Sequence, residues 1–84
     1  MPENLSLQVY PNPAMYSFTI KSKNVLKDAQ IFVSDMNGKQ ILSKQISQLL
    51  KYDINCTTWQ NGSYIIAVHD ENQNKSTLQL IINK

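Results

Sequence analysis

An all-β sandwich is the fold class the sequence predicts, on three observations. Apolar and polar residues alternate with period two along most of the chain, as half-buried strands require. Turn formers recur at short intervals, most plainly at Pro11-Asn12-Pro13, Asn37-Gly38 and Asn61-Gly62. No stretch of helical length combines a helical period with caps. The 84 residues make one domain. A chain of this size buries only about 60–65% of its unfolded surface, so a stability of roughly a few kcal/mol is expected. With 42% hydrophobic and 17% charged residues the profile is neither disordered nor membrane-spanning. The longest apolar run, Tyr64 to Val68, is too short to cross a bilayer, and no direct membrane insertion is expected.

Seven strands are expected. The first runs from Leu5 to Tyr10, with Leu5, Leu7 and Val9 on one face. Pro11 and Pro13 end it, because neither can donate to a ladder. The second, Tyr16 to Ser22, turns Tyr16, Phe18 and Ile20 inward, and Asn24 to Asp28 is a connection. The third, Ala29 to Asp35, carries Ile31 and Val33 inward and Phe32 outward. Asn37-Gly38 then signals a hairpin with a type I′ turn, which needs positive φ at both residues, and Gln40 to Ile46 returns from it. Leu49 and Leu50 lie in a connection that caps one end of the core. The fifth strand, Lys51 to Cys56, places Tyr52, Ile54 and Cys56 together, and the sixth, Ser63 to Asp70, buries Tyr64, Ile66 and Val68. After a polar loop from Asp70 to Lys75, the last strand, Ser76 to Asn83, aligns Leu78, Leu80 and Ile82. Seven short strands, each with one apolar face, imply an immunoglobulin-like antiparallel β-sandwich. Trp59-Gln60-Asn61-Gly62-Ser63-Tyr64 fits a tyrosine corner, in which the phenol returns to backbone a few residues upstream.

Little in the chain points to catalysis. His69 is the only histidine and leads into a loop, so it is read as a solvated or hydrogen-bonded side chain rather than a base. Cys56, the only cysteine, excludes an internal disulfide and alternates in phase with core residues, as a buried inert thiol does. Of the six carboxylates only Asp70 and Glu71 are adjacent, and neighbours on a strand face opposite ways. The oxygen-rich loop Asp70 to Asn74 lacks the glycine and spaced acids of a dedicated calcium loop. Gly38 and Gly62, both in turns, cannot build a phosphate cradle, so no enzyme, cofactor or metal is expected. All eight basic residues are lysines, scattered along a chain of net charge +2, and without an arginine fork no nucleic-acid partner is expected. The four Asn-x-Ser/Thr triplets are what chance gives in an asparagine-rich chain. Tyr10, Phe32 and Trp59 are the candidates for a sugar-stacking platform, against the commoner reading of half-buried sandwich aromatics.

The motifs go further than composition. Val9-Tyr10-Pro11-Asn12-Pro13-Ala14 opens the domain, Ile31 to Lys39 forms a central hairpin, and Tyr52-Asp53-Ile54 precedes Asn61-Gly62-Ser63-Tyr64-Ile65-Ile66. Leu80-Ile81-Ile82-Asn83-Lys84 closes the chain. In this order and spacing, from Leu5 to Lys84, the sequence resembles the type A C-terminal sorting domain of the type IX (Por) secretion system of Gram-negative bacteria. The positions that match the family's motifs are Pro11, Asn12, Pro13, Gly38, Lys39, Gly62, Tyr64, Ile81, Ile82 and Lys84. Trp59 departs from a usual leucine, and Cys56 from a small polar residue.

The resemblance implies a secretion address rather than an enzyme. Its partners would be a covalently linked N-terminal cargo, an outer-membrane translocon and a sortase-like peptidase that removes the domain. The protein would pass through the periplasm on its way to the outer-membrane surface or the medium. The first ten residues hold no signal peptide, so the chain is expected to be a fragment of a precursor, with Met1 to Asn4 a linker or an added start. An apolar last strand at a sheet edge could be read by strand addition, which would require Ser76 to Lys84. The competing reading is a non-catalytic adhesive or carbohydrate-binding module of an exported hydrolase, since sandwiches host many functions.

Overall fold

Alternating side chains do form antiparallel strands, but the strands are fewer and longer than their apolar faces suggest. A computed structural model describes residues 6–84, so Met1 to Asn4 and Leu5, the expected linker and first strand residue, lie outside the described residues. Among the described residues five strands are present rather than the expected seven: β1 (Leu7–Tyr10), β2 (Ser17–Asp35), β3 (Gln40–Asn55), β4 (Gly62–His69) and β5 (Lys75–Ile82). Every paired neighbour is antiparallel, in the order β1-β2-β4-β5, with β3 on the other side of β2.

The difference lies in two segments expected to be connections. Asn24 to Asp28 belongs to β2, and Leu49 with Leu50 to β3. A ladder is made by backbone groups and does not need an alternating sequence, and Leu26 opposite Leu49 and Lys27 opposite Gln48 carry it through. Both leucines of that pair are buried, whereas Leu50 is exposed rather than capping the core. From Lys21↔Lys51 to Leu26↔Leu49 the chain advances five residues on β2 and two on β3, a bulge that bends the strand. Asp28 follows at φ 50°, and across it the buried positions change from even numbers (Phe18, Ile20, Ser22, Leu26) to odd (Ala29, Ile31, Val33).

The bend gives the long strands two roles. The first half of β2 lies between β1 and the second half of β3, and its second half lies between the first half of β3 and β4, with β5 outside β4. One core joins the two halves, with Phe18 and Ile20 from the first and Ile31, Val33, Ile66, Val68, Leu80 and Ile82 from the second. Trp59 links them directly, its ring 5.6 Å from Phe18 and 5.3 Å from Tyr64. Tyr16, expected inward, is 61% exposed. It precedes β2 and offers its carbonyl to the Cys56 amide at 2.8 Å, so its side chain is not bound by the strand's alternation.

The hairpin after Asp35 forms, but not with a type I′ turn: Gly38 has φ 85° and Asn37 is not among the positive-φ residues. The Gly38 amide instead donates to the Asp35 carbonyl (3.1 Å), and the Asp35 amide to the Lys39 carbonyl (2.9 Å). The Asp35 carboxylate accepts from the amides of Asn37 and Lys39, both at 2.9 Å. This is a turn closed by a left-handed residue and held by an aspartate reaching over its own backbone. The β4–β5 loop repeats it residue for residue. Asp70 accepts from the amides of Asn72 (3.0 Å) and Asn74 (2.9 Å), and its backbone pairs with Gln73 and Asn74. There the left-handed position holds Gln73, at φ 64°. Gln73→Gly is expected to stabilise the domain by about 0.5–1 kcal/mol, since relief of a side chain in that region outweighs the added chain entropy. A higher urea midpoint with an unchanged slope is the expected result; a lower midpoint would show that the turn carries no strain.

Candidate functional site

Pro11 and Pro13 have no amide hydrogens, so the chain cannot continue pairing with β2 through them. Both of their peptide bonds are cis, and the segment crosses from β1 to the far edge of β5. There the Asn12 side chain donates through Nδ2 to the Gln79 carbonyl and accepts through Oδ1 from the Ile81 amide, both at 3.0 Å. The Ala14 amide donates to the Ile81 carbonyl at 2.7 Å, and the Asn83 amide to the Ala14 carbonyl at 3.0 Å. Ala14, fully buried, pairs in parallel with Ile82, which is 1% exposed.

This seam changes the reading of the last strand. β5 does end the strand order, but from Gln79 onward its outer edge is covered by the chain's own segment. Of the outer edge of β5, only the part before Gln79 has no partner among the described residues, so strand addition over all of Ser76 to Lys84 would require the seam to open.

Lys84 fastens the following residues on the other side. Its ammonium donates to the carbonyls of Thr57 and Trp59, and its amide to Asn61 Oδ1 at 3.0 Å. Asn61 leads into Gly62, whose φ of 151° is one that L side chains rarely adopt. Two residues on, the buried Tyr64 returns its hydroxyl to the Gln60 carbonyl at 2.6 Å, as a tyrosine corner does. Tyr64→Phe is expected to cost about 1–2 kcal/mol, because the Gln60 carbonyl loses its donor. Chemical denaturation reads this directly, and an unchanged midpoint would mean that water replaces the phenol at no cost.

The turn with Gly38 and Lys39 lies at the same end, because Asp35 is opposite Tyr64 and Tyr64 opposite Leu80. A shallow hollow of about 250 Å³ lies between them, lined by Asp35, Lys39, Ile41, Trp59, Gln60 and Tyr64. The structure therefore places the motif positions at the same end of the strands: Pro11, Asn12 and Pro13 on the outer edge of β5, Ile81, Ile82 and Lys84 at its end, Gly62 and Tyr64 on β4 and Gly38 and Lys39 in the turn after β2. They differ in what their side chains do. Ile82 is core, Tyr64, Asn12 and Lys84 make the ties described above, and Ile81 is 41% exposed. Ala14 and Asn61, quoted within the motifs, and Thr57 were not among the site positions the sequence singled out. Their parts are played by backbone groups or by a side-chain oxygen far from its partner, which no periodicity records.

Cys56, His69 and Asp70, the groups considered for chemistry, are engaged structurally. Burial pushes the Cys56 thiol above its ordinary pKa, while the positive charge of Lys84 pulls the other way. The half-buried His69 meets Phe32 edge to face at 5.5 Å. The Asp70 carboxylate is occupied within its turn, its second oxygen accepting from Asn74 Nδ2 at 3.2 Å. Among the described residues no group of three or more His, Cys, Asp or Glu could hold a metal ion, and no helix is long and apolar enough to cross a membrane. Of the aromatics considered for sugar stacking, Tyr10 is exposed, while Phe32 and Trp59 are half-buried against other rings.

Comparison with known proteins bears on the fold and on the family. A DUF3244 family protein from Bacteroides vulgatus with an immunoglobulin-like β-sandwich fold superposes with a TM-score of 0.79 at 18% identity, over 92% of this chain and 83% of that one. This shows the fold to be an immunoglobulin-like β-sandwich. PorZ, an essential bacterial surface component of the type-IX secretion system of Porphyromonas gingivalis, superposes with a TM-score of 0.71 at 16% identity. That match covers 93% of this chain and 11% of PorZ. No curated protein matches the sequence. The model of the secretion system C-terminal sorting domain matches residues 8–83, nearly the whole chain from the Pro-Asn-Pro seam to the strand it covers. The chain belongs to the secretion system C-terminal sorting domain family of type IX secretion.

Proposed function

We propose that this domain is a folded, non-catalytic address that carries a larger exported protein through the outer-membrane translocon of the type IX system. The cargo is covalently linked on the N-terminal side. A sortase-like peptidase removes the domain at the cell surface, after passage of the whole protein through the periplasm. The observation that carries this reading is the gathering of the ten matching positions at one end of the sandwich, within a family match over residues 8–83. Strands distant in sequence meet there, with Ile81 exposed and Tyr64 and Ile82 buried beneath, so that part of the set supports the fold and part is open to a partner. The side chains that could do chemistry, Cys56, His69 and Asp70, are tied up in packing and turns, which supports a role other than catalysis.

The test is a reporter with an inner-membrane signal peptide and this chain at its C-terminus, expressed in cells that have the type IX system. Reporter at the surface or in the medium, lighter by the mass of the domain, is the expected result. Reporter outside at full mass would remove the peptidase from the account and leave the address. Reporter held in the periplasm with the domain folded would overturn the address itself.

A further inference from the structure

We propose that Asn12 is a positioning residue of the sorting signal, its side-chain amide replacing a peptide group to hold the Gln79–Ile82 edge of β5 closed; this rests on the sorting function proposed above. The segment that covers this edge begins with Pro11-Asn12-Pro13, where two of three residues have no backbone donor. A strand laid along β5 here must nevertheless satisfy the Gln79 carbonyl and the Ile81 amide. The Asn12 side chain does so alone, presenting one N–H and one C=O to those two groups at 3.0 Å each. Ala14 then resumes with its own backbone, giving to the Ile81 carbonyl and taking from the Asn83 amide.

The residue type is specified by this task. Aspartate at neutral pH has no hydrogen to give Gln79, alanine offers neither group, and glutamine displaces both by one carbon. With β4 paired along its inner flank and Lys84, just beyond it, anchored to Thr57, Trp59 and Asn61, the end of β5 is held on both sides. The exposed side chain of Ile81 is thereby fixed in direction, because its amide and carbonyl are both engaged by the seam.

The experiment uses the complete chain, alone and fused to the exported reporter, as wild type, N12D and N12A. Amide hydrogen exchange is expected to accelerate at Ile81 by about tenfold or more in both variants, while the core amides of Ile66 and Val68 keep their wild-type rates. The reporter outside cells is expected to fall about tenfold for N12D and less for N12A, which removes the bonds without adding a charge. Export at the wild-type level despite faster exchange at Ile81 would overturn the positioning role. So would unchanged exchange at Ile81, or an equal acceleration at Val68, which would make Asn12 a global stabiliser only. Retention of the wild-type reporter would instead defeat the sorting function on which the inference rests.

Discussion

Ile82→Ala is expected to cost about 2–5 kcal/mol, while Ile81→Ala, one residue earlier, costs less than about 1 kcal/mol. The two side chains are chemically identical and lie on opposite faces of β5. Ile82 is 1% exposed, opposite Gly62 on β4 and paired with Ala14 across the seam. Removing its side chain beyond Cβ leaves a cavity that the surrounding ladders on both sides of β5 cannot close. Ile81 is 41% exposed and leaves no cavity. For a domain whose whole stability is roughly a few kcal/mol, the first variant falls near or below the folding threshold and the second stays folded. Urea unfolding followed by Trp59 fluorescence separates them. Equal losses in the two variants would contradict the register of β5. By the same reasoning, a deletion of Ile81 to Lys84 would remove a core residue and the Lys84 clamp together, and would report on folding as much as on recognition.

Phe18→Ala is expected to have a comparable or larger effect, about 3–5 kcal/mol. Phe18 is 1% exposed and is the aromatic contribution of the first half of β2 to the core. Its edge-to-face contact with Trp59, and the tilted contact of Trp59 with Tyr64, run from one half of the sandwich to the other. Truncation removes the largest fully buried side chain, and Trp59 loses the ring that fixes its orientation. Loss of the near-ultraviolet circular dichroism of Trp59, with a large drop in melting temperature, is the expected result. A loss below about 1.5 kcal/mol, with the Trp59 signal intact, would mean that the two halves are joined mainly by their aliphatic residues.

Much of this core was legible in the sequence. Phe18, Ile20, Ile31, Val33, Ile54, Ile66, Val68, Leu80 and Ile82 all follow the alternation that the structure buries. What alternation could not show is continuity. Asn24 to Asp28 reads as a break because its side chains change phase, yet the backbone ladder only bends there, around a bulge and Asp28. Tyr16 misleads in the opposite sense, keeping the phase of Phe18 and Ile20 while lying just before the strand that would turn it inward. At Asn37-Gly38 the dipeptide signals the hairpin correctly, but the preceding Asp35 selects a different turn by capping its amides.

The candidate site was legible as a set of residues and not as a place. The bond from Ile81 to Asn12 spans 69 positions and uses a side-chain amide, and the Lys84 ammonium is held by carbonyls, which are the same in every residue. Neither leaves a trace in composition or period. The resemblance to the sorting family located these positions along the sequence, and the seam and the clamp show how residues so far apart are joined.

The most direct measurement of the central claim compares the exported reporter fused to this chain in two otherwise identical strains, one with a working type IX system and one without. Reporter outside intact cells of the first strain and confined to the periplasm of the second is the expected result. Confinement in both strains, with the domain folded, or release from both, would contradict the account.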